Sequence, residues 1–519
     1  MAIDPPAPPR RLPLGRCNTA VVWLAGIALA ASLVRVLLDG RLASPLPSTL
    51  EEIFVIRPAG SAAAAAAAAA FTPANDTLLP PLRRPPVMGF NTWNAFGCDI
   101  SEELILAIAS SLVERRLLHA GYSYVGIDDC WQAEERGPDG ALHANPTRFP
   151  RGIRFLADEL HAMGLQLGIY SDYGVRTCAG YPGSYGHYEQ DAATFAAWGV
   201  DLIKFDRCAP TIDQDRHPAR YYRQMAAAIR ATGRPMVYSL CNWGRADAEE
   251  GPPWRWAPRF AQMWRTTTDI FPWYARVVAI LEENAPLAPF AGPGAFNDPD
   301  MLEVGVNGTL LNLPGFVRSS LSESESSLHF SMWAMLSAPL LIGADLRHAP
   351  PWVLAILSNP EVIALSQDPL AAQAVRLVDD ERGFFVRLPL VPFDFWGRVR
   401  TCFGACRKIQ VWLKPLANHS AAIALVNLGD QLSADRSSFG PEDIEITGAA
   451  IELASSVDFA SRSHCVRDPL RHQDGEVIPE GTSASSLILK RTRVQPRSHE
   501  LLVIRPCTCH EASDVVDAS

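Results

Sequence analysis

The stretch Leu202-Ile203-Lys204-Phe205-Asp206 is a short apolar run that ends in a carboxylate, and the chain repeats this pattern. A second carboxylate, Asp269, closes the run that begins at Trp264. Between about residues 85 and 346 such runs alternate with amphipathic stretches, and most end in Asp, Asn, Cys or Trp. This alternation predicts β-strands that are separated by helices along the chain.

Eight strands are predicted in this part of the chain. They are Gly89–Asn94, Tyr124–Asp129, Leu167–Asp172, Leu202–Asp206, Val237–Asn242, Trp264–Asp269, Phe296–Asp300 and Leu340–Gly343. Their apolar residues are consecutive, as in a parallel sheet that is buried on both faces. The fold class is therefore α/β, a (β/α)₈ TIM barrel whose polar strand ends converge on one pocket.

The stretches between these strands carry helix signals. The first begins with Ser101 as an N-cap and is expected to end at Gly121. The next is expected to stop at Gly164, and the third at Gly199.

Beyond about Leu365 the pattern changes to short alternating strands. The predicted strands are Gly383–Arg387, Ile409–Leu413, Ala421–Val426 and Glu500–Ile504. They predict a C-terminal antiparallel β-sandwich domain, and two domains fit the length of the chain.

The N-terminus predicts entry into the secretory pathway. Three arginines precede an apolar run at residues 20–34, as in a signal sequence. We expect cleavage, although residues 36–38 could extend the run into an uncleaved type II membrane anchor. The expected location is therefore outside the cell, in the secretory pathway or in the vacuolar or lysosomal lumen. A membrane would be a partner only if the segment stays uncleaved.

The chain is thus expected to have five parts. They are a signal peptide or anchor (1–38), a low-complexity linker (39–84) with an alanine run, the barrel (85–364), the sandwich (365–506) and a tail (507–519).

Composition excludes several functions. The net charge of −10 comes from 46 basic and 56 acidic residues, with no basic patch for nucleic acid. No P-loop, dinucleotide-binding or metal-ligand spacing is present in the sequence, and Cys507-Thr508-Cys509 is too close and too terminal for zinc. We therefore expect no cofactor, no metal and no nucleic acid.

The motifs at the predicted strand ends resemble those of glycoside hydrolase family 27, whose common members are α-galactosidases and α-N-acetylgalactosaminidases. The matching stretches are 85–94, 127–131, 168–172, 204–206, 264–269, 292–302, 366–370 and 411–416. They occur in the order of the family, which is far more specific than any one motif alone.

The resemblance implies a retaining exo-α-galactosidase that releases terminal non-reducing α-D-galactosyl residues from oligosaccharides, polysaccharides or glycolipids. Asp206 would be the nucleophile and Asp269 the general acid/base of a double displacement. Lys204 lies two residues earlier on the same face of the strand and is expected to hold Asp206 ionised. A carboxylate pair also predicts an acidic pH optimum.

The resemblance also implies which residues bind the sugar. Asp128 and Asp129 would hold the 4- and 6-hydroxyls, and Trp93 would pack on the apolar face of the ring. The remaining implied binding residues are Tyr170, Lys204, Cys241, Asn242, Trp243, Arg265 and Asp300.

Three positions around the end of the fifth predicted strand bear on which sugar is accepted. Cys241 and Trp243 resemble the bulkier, galactose-selective form of the family, in which an N-acetyl group would clash. Asn242, the implied contact of the 2-hydroxyl, stands where many members carry Glu. Arg207 is also unusual for the family, but strand alternation should point it away from Asp206, so we expect activity to survive it.

Three alternatives stay open. The same scaffold could act on α-N-acetylgalactosamine or on β-L-arabinopyranose, or the protein could be a non-catalytic, galactose-binding pseudoenzyme. The presence of both Asp206 and Asp269 argues against the last of these. A homodimer also stays open.

Eleven cysteines agree with an oxidising compartment. The resemblance implies the disulfides Cys98–Cys130, Cys178–Cys208 and Cys402–Cys406, although buried free thiols are the alternative. It leaves Cys17, Cys241, Cys465, Cys507 and Cys509 unassigned. If the chain is secreted in a eukaryote, the sequons at Asn75, Asn307 and Asn418 would be glycosylated.

Overall fold

The computed structural model describes residues 79, 85–246, 248–309, 318–389, 398–429 and 442–507; the side chains of 308–309, 318–319, 381–389, 398–407, 442–443, 453 and 492 are excepted. The expected signal segment, the linker apart from Leu79, and the tail after Cys507 lie outside these residues. Within the described ranges, no helix combines the length and the hydropathy that a membrane span requires.

Eight parallel strands form the barrel sheet. They are β1 (Met88–Asn91), β2 (Tyr124–Ile127), β3 (Gln166–Asp172), β4 (Leu202–Asp206), β5 (Val237–Leu240), β6 (Met263–Arg265), β7 (Phe296–Asp298) and β10 (Leu340–Ile342). Their order in the sheet is β10-β1-β2-β3-β4-β5-β6-β7. A parallel bridge between Leu302 and Ile342 joins the chain after β7 to β10. The predicted TIM barrel and its eight strands are confirmed, but some strands end earlier than predicted: β6 ends at Arg265, which leaves Asp269 in the following loop.

Helices alternate with these strands. They are α1 (Trp93–Phe96), α2 (Glu102–Glu114), α3 (Gly152–Ala162), α4 (Tyr188–Trp198), α5 (Ile212–Arg216), α6 (Pro218–Ala231), α7 (Tyr274–Asn284), α8 (Glu323–Met335), α9 (Pro351–Leu357) and α10 (Pro360–Ser366). Short 3₁₀ turns lie at Pro253–Arg255, Ala257–Arg259, Ala285–Phe290 and Leu346–His348, and a small hairpin pairs β8 (Gly308–Thr309) with β9 (Arg318–Ser319).

Most predicted helix boundaries agree with the structure: α3 ends at Ala162, two residues before Gly164, and α4 ends at Trp198 with Gly199 as its C-cap. Ser101 caps α2 as predicted, because its hydroxyl accepts a hydrogen bond from the Leu104 N–H at 3.2 Å. The prediction that this helix reaches Gly121 was wrong, since it ends at Glu114. Arg116 has φ of 62°, a conformation that the right-handed helix does not allow.

Alternation along β4 separates two environments. Ile203 and Phe205 belong to the main core that the barrel shares with its helices, whereas Leu202 belongs to an apolar cluster at the start of the strands. That cluster, here called the base plug, contains Val87, Tyr124, Leu202, Val237, Met263, Phe296 and Ala371.

The C-terminal part is built from antiparallel strands, as predicted. The strands are β11 (Val375–Pro389), β12 (Arg398–Leu416), β13 (Ser420–Asn427), β14 (Glu442–Thr447), β15 (His464–Asp468), β16 (Gln473–Ile478), β17 (Ile488–Val494) and β18 (Ser498–Pro506), with α11 (Gly448–Ala454) after β14. One sheet has the order β11-β12-β13-β18-β15-β16, and a second pairs β14 with β17. Residues of both sheets, such as Ile423 and Leu489, share one core.

Hydrogen bonds and ion pairs between polar side chains connect this sandwich to the barrel. Glu282 in α7 accepts hydrogen bonds from Arg376 and Gln410 at 2.6 Å and pairs with Lys408 at 2.7 Å. Lys414 of β12 donates to Ser337 and to the Ala372 carbonyl, and burial lowers its pKa to about 7. The contact between the two domains is therefore specific as well as apolar.

Disulfides join neighbouring loops. The structure links Cys98 to Cys130 and Cys178 to Cys208, the two barrel pairings that the resemblance implies, and also links Cys465 to Cys507 in the sandwich. Cys241 is buried and free. The side chains of Cys402 and Cys406, and residues Cys17 and Cys509, lie outside the described part of the chain.

Two of the three expected glycosylation sequons lie within the described residues, and both are on the surface. Asn307 and Asn418 are exposed, and Asn418 lies in the turn between β12 and β13 with φ of 57°. Asn75 lies outside the described residues.

Candidate active site

The candidate nucleophile, Asp206, is the last residue of β4 and is only 5% exposed. Its Oδ1 accepts a hydrogen bond from the Arg207 N–H at 2.9 Å. Burial raises the pKa of Asp206 to about 6, and the positive charge of Lys204 acts in the opposite direction. Lys204 was expected to hold Asp206 ionised; it does favour the ionised form, but the effect of burial is larger.

Lys204 joins three strands at the pocket. Its ammonium donates to Asp128 Oδ2 at 2.7 Å, and Asn91 Nδ2 donates to the same oxygen at 2.8 Å. The ammonium also lies 5.3 Å from the centre of the Tyr170 ring. Burial alone would lower the pKa of Lys204, but the carboxylates of Asp128 and Asp206 raise it, so the side chain stays charged.

Asp129 is held by backbone donors rather than by a cation. Its oxygens accept the N–H groups of Cys130 at 2.7 Å and of Ala179 at 2.8 Å. Burial raises its pKa, and these two bonds oppose the rise. Since Asp128 and Asp129 are both buried and fixed, they form a rigid acceptor pair after β2.

Arg265, at the end of β6, connects two further carboxylates. Its Nη2 lies 2.6 Å from Asp300 Oδ2 and 3.0 Å from Asp269 Oδ1. Asp300 is almost fully buried, whereas the Asp269 side chain is 41% exposed. The candidate acid/base is thus the more accessible member of the catalytic pair, as proton exchange with a leaving group and water requires.

Asp300 has an unusual backbone. Its φ is 84°, and its N–H donates to Asp298 Oδ1 at 2.8 Å. Its own Oδ2 accepts the Ile270 N–H at 2.8 Å. The Asp298-Pro299-Asp300 turn therefore holds the carboxylate against the loop that carries Asp269.

Trp93 and Tyr170 differ in how they are held. Trp93 is half-buried at the start of α1, and its backbone N–H donates to Asn91 Oδ1 at 2.9 Å. Tyr170 is 1% exposed, and its hydroxyl contacts Cys178 Sγ at 3.2 Å. The Cys178–Cys208 disulfide therefore touches a pocket side chain as well as joining two loops.

The turn after β5 has a tightly constrained backbone. Trp243 has φ of 52° and Gly244 has φ of 67°. A Cβ atom at Gly244 would lie 1.8 Å from the carbonyl oxygen of Thr266, so only glycine fits there. Cys241 Sγ lies 3.7 Å from Arg265 Nη1, which places this turn beside the end of β6.

Sequence reasoning missed Asp172, which ends β3 and pairs in register with Asp206. Its two oxygens accept the N–H groups of Gly174 and Cys208, each at 2.7 Å. Burial, together with the charge of Asp206, raises its pKa well above the usual range. The polar end of the predicted third strand was the signal that could have indicated it.

One group of side chains in the described ranges has the spacing of a metal site. The ligand atoms of Asp172, Cys178, Asp206 and Cys208 lie within 4.8 Å of one another. Because the two sulfurs are joined in a disulfide, they cannot act as thiolate ligands.

The strand ends thus carry a buried carboxylate, a more exposed carboxylate and several fixed acceptors for hydroxyl groups. The implied site residues come from the C-terminal ends of β1 to β7, the face of a TIM barrel where active sites are built. This combination of fold and site defines a barrel glycoside hydrolase.

Comparison with known families gives a more specific assignment. The family model described as "Alpha galactosidase A" matches residues 85–368, and "Alpha galactosidase C-terminal beta sandwich domain" matches residues 407–505. The chain belongs to this α-galactosidase family, glycoside hydrolase family 27.

Individual relatives and a solved structure support this family assignment. The chain is 44% identical over 310 residues to alpha-galactosidase A of Cellvibrio japonicus, covering 58% of this chain and 71% of that protein. It is 39% identical over 404 residues to alpha-galactosidase 3 of Arabidopsis thaliana, covering 78% and 79%. The structure of the Saccharomyces cerevisiae α-galactosidase with raffinose is 27% identical, with a TM-score of 0.65 and coverage of 83% and 100%.

Proposed function

We propose that this protein is a retaining exo-α-galactosidase that releases terminal α-D-galactosyl residues. The observation that carries the proposal is the pairing of Asp206, buried at the end of β4, with the more exposed Asp269 after β6. A retaining enzyme needs a nucleophile enclosed beneath the sugar and an acid/base that reaches the leaving oxygen, about 5 Å apart.

The reaction has two steps. In the first, Asp206 attacks the anomeric carbon while Asp269 gives its proton to the glycosidic oxygen, so the C–O bond to the leaving group breaks. In the second, Asp269 takes a proton from water, the water oxygen bonds to the same carbon, and the ester bond to Asp206 breaks. Both carboxyl groups then return to their initial states.

The sugar would be held by groups that are already fixed. Asp128 and Asp129 offer buried carboxylate oxygens to the 4- and 6-hydroxyls, and Lys204 adds a charged donor at Asp128. Trp93 is half-exposed and available for the apolar face of the ring. Tyr170, Arg265 and Asp300 supply the remaining contacts that family membership implies.

Galactose is the sugar that the turn after β5 favours. Cys241 is buried and the backbone of Trp243 is constrained, so this turn cannot easily make room for an N-acetyl group. A related yeast enzyme has been described with raffinose, which supports α-galactosyl oligosaccharides as substrates for this chain.

The proposal is tested by turnover of aryl α-galactoside, aryl α-N-acetylgalactosaminide and aryl β-L-arabinopyranoside by the protein and by its Asp206→Asn variant. We expect turnover of the galactoside that is lost in the variant. A preference for another sugar would overturn the roles of Cys241 and Trp243. No turnover of any substrate by folded protein would favour the galactose-binding pseudoenzyme.

We also propose that the protein enters the secretory pathway. The disulfides of both domains support this, because such bonds persist in oxidising compartments. Expression in a eukaryotic cell should place the protein in the medium or a luminal compartment. Endoglycosidase treatment should increase its mobility if Asn307 or Asn418 carries a glycan, whereas retention as reduced protein in the cytosol would contradict the proposal.

A further inference from the structure

The loop between β6 and α7, residues 266–273, carries the proposed acid/base Asp269. A buried arginine of α7 forms hydrogen bonds with this loop. Arg276 Nε donates to the Asp269 carbonyl oxygen at 3.0 Å, and its Nη2 donates to the Thr268 carbonyl oxygen at 2.6 Å and to Thr268 Oγ1 at 2.8 Å. The Arg276 side chain is fully buried, whereas the Asp269 side chain is 41% exposed. The arginine therefore holds the loop from the protein interior and leaves the carboxylate accessible.

These hydrogen bonds act on both peptide groups that flank the Cα atom of Asp269. The Thr268 carbonyl belongs to the peptide group before that atom, and the Asp269 carbonyl belongs to the group after it. The second group is also held at its N–H end, because the Ile270 N–H donates to Asp300 Oδ2 at 2.8 Å. Since the two peptide planes define φ and ψ of Asp269, they also define the direction of its Cα–Cβ bond.

The position of Arg276 does not favour the helix that carries it. Arg276 lies in the first turn of α7, where the helix dipole disfavours a cation. Its Nη1 is 3.5 Å from the half-exposed carboxylate of Glu283, which is longer than a charge-assisted hydrogen bond. The shorter contacts are those with Thr268 and Asp269, whose carbonyl groups lie outside regular secondary structure and need donors. The buried cation therefore stabilises the loop and not the helix.

Two arginines thus act on different parts of Asp269. Arg265 Nη2 lies 3.0 Å from the carboxylate, and Arg276 holds the main chain. We propose that Arg276 is a positioning residue that fixes the main chain at Asp269, so that the carboxyl group meets the glycosidic oxygen in the geometry that proton transfer requires. The inference rests on the proposed function, because Asp269 is an acid only in that reaction.

The test separates proton donation from other contributions to the rate. It compares kcat/KM for phenyl α-galactoside, whose leaving group needs a proton, with kcat/KM for dinitrophenyl α-galactoside, whose leaving group departs without one. The intrinsic difference between the two substrates is the same for every variant and cancels between variants. Arg276→Met should lower the phenyl-to-dinitrophenyl ratio about 10- to 100-fold, because a displaced acid transfers its proton poorly.

A milder change keeps the charge of this side chain. Arg276→Lys replaces the planar guanidinium by a single ammonium, which cannot reproduce the three hydrogen bonds in the same geometry. Its ratio should fall about threefold, the effect of one lost hydrogen bond.

Glu283→Gln is the matched control. It changes the half-exposed partner of Nη1 and leaves the contacts with the loop in place, so its ratio should match that of the unmodified protein. A ratio that falls as far as in Arg276→Met would show that the ion pair is responsible, which would overturn the inference.

A purely structural role for Arg276 would give a different result. Turnover of both substrates would then fall by the same factor, and an unchanged ratio in folded Arg276→Met would overturn the inference. If Arg276→Met does not fold, an unchanged ratio in Arg276→Lys overturns it equally. Absence of turnover of both galactosides by the unmodified protein would instead overturn the proposed function, and this inference with it.

Discussion

The two ends of the barrel are built from the same strands but follow opposite physical rules. On β4, Leu202 begins the strand inside the apolar base plug, and Asp206 ends it inside the active site. Alternation places Leu202, Lys204 and Asp206 on one face, so a single strand serves both ends. Burial stabilises the first end, whereas at the second it acts on charged groups and raises the pKa of Asp206.

The fold gains stability at the apolar end of the barrel and gives up stability at the polar end. Buried apolar side chains at the base contribute about 1.5 to 3 kcal/mol each. Buried carboxylates at the other end are tolerated only because cations and backbone N–H groups surround them, as Lys204 does for Asp128. Substitutions at the base should therefore lower stability and leave catalysis nearly unchanged, whereas substitutions at the polar end should lower catalysis.

The largest expected effect is on catalysis at the polar end. Asp206→Asn removes the proposed nucleophile and should lower kcat on an aryl α-galactoside by on the order of 10⁴-fold. Asp215→Asn is the matched control, since it changes an exposed carboxylate near the same loop and should keep most of the activity. Similar activity in the two variants would remove Asp206 from the mechanism.

The second effect depends on the leaving group. Asp269→Asn removes the proposed proton donor, so turnover of an oligosaccharide such as raffinose should fall about 10²- to 10⁴-fold. An aryl galactoside whose leaving group departs without a proton should be affected far less in its first step. Steady-state kinetics on both substrates checks this, and equal losses would contradict the role of Asp269 as acid.

At the base, the expected effect is on stability. Leu202→Ala should lower the free energy of unfolding by about 2 to 5 kcal/mol, because it leaves a cavity in the base plug. At a temperature well below the unfolding transition, kcat should stay within about twofold, as the change does not reach the transition state. Urea unfolding and initial rates measure the two quantities. A large loss of kcat in folded protein would show that the two ends are coupled.

At the other end of the same strand, a substitution should increase the free energy of unfolding instead of lowering it. The folded-state pKa of Asp206 lies above that of an unfolded Asp, so this carboxyl lowers stability as pH rises from about 4 to about 6, and the penalty persists at higher pH. Asp206→Asn should therefore increase the free energy of unfolding at pH 7 by about 1 to 3 kcal/mol. If Asp206→Asn had the same free energy of unfolding as the unmodified protein at pH 7 as well as at pH 4, the raised pKa would be contradicted.

The smallest expected effect is a shift of the pH profile. As the proposed nucleophile, Asp206 must be ionised, so kcat/KM should fall about tenfold per unit of pH below about pH 6. Lys204→Met removes the charge that favours ionisation and should move this limb about one unit higher. The sequence predicts an acidic optimum; burial of Asp206 limits how acidic it can be. A profile that stays flat up to about pH 9 would contradict the acidic optimum, and an acidic limb near pH 4 would contradict the raised pKa of Asp206.

Much of the fold was predictable because its signals are local. Apolar runs with polar ends gave all eight barrel strands, and Ser101 marked the start of α2. The end of α2 was missed, because Arg116 adopts a positive φ although its residue type gives no turn signal in the sequence.

The parts of the site that could not be predicted depend on contacts between loops. The sequence indicated that Arg207 would point away from Asp206, but not that it would reach Asn242 and Asp215. The pairing of Cys465 with Cys507 was likewise unassigned, because disulfide connectivity is set by the folded sandwich. The pKa of Asp206 required the degree of burial as well as the position of Lys204.

The most direct test of the account is the configuration of the first sugar released. Hydrolysis of an aryl α-galactoside is followed by proton NMR in the first minutes, before the free galactose mutarotates. We expect α-galactose to appear first, because Asp206, as the proposed nucleophile, and water each invert the anomeric carbon once. Initial release of β-galactose would show a single displacement and would contradict the role of Asp206 as nucleophile.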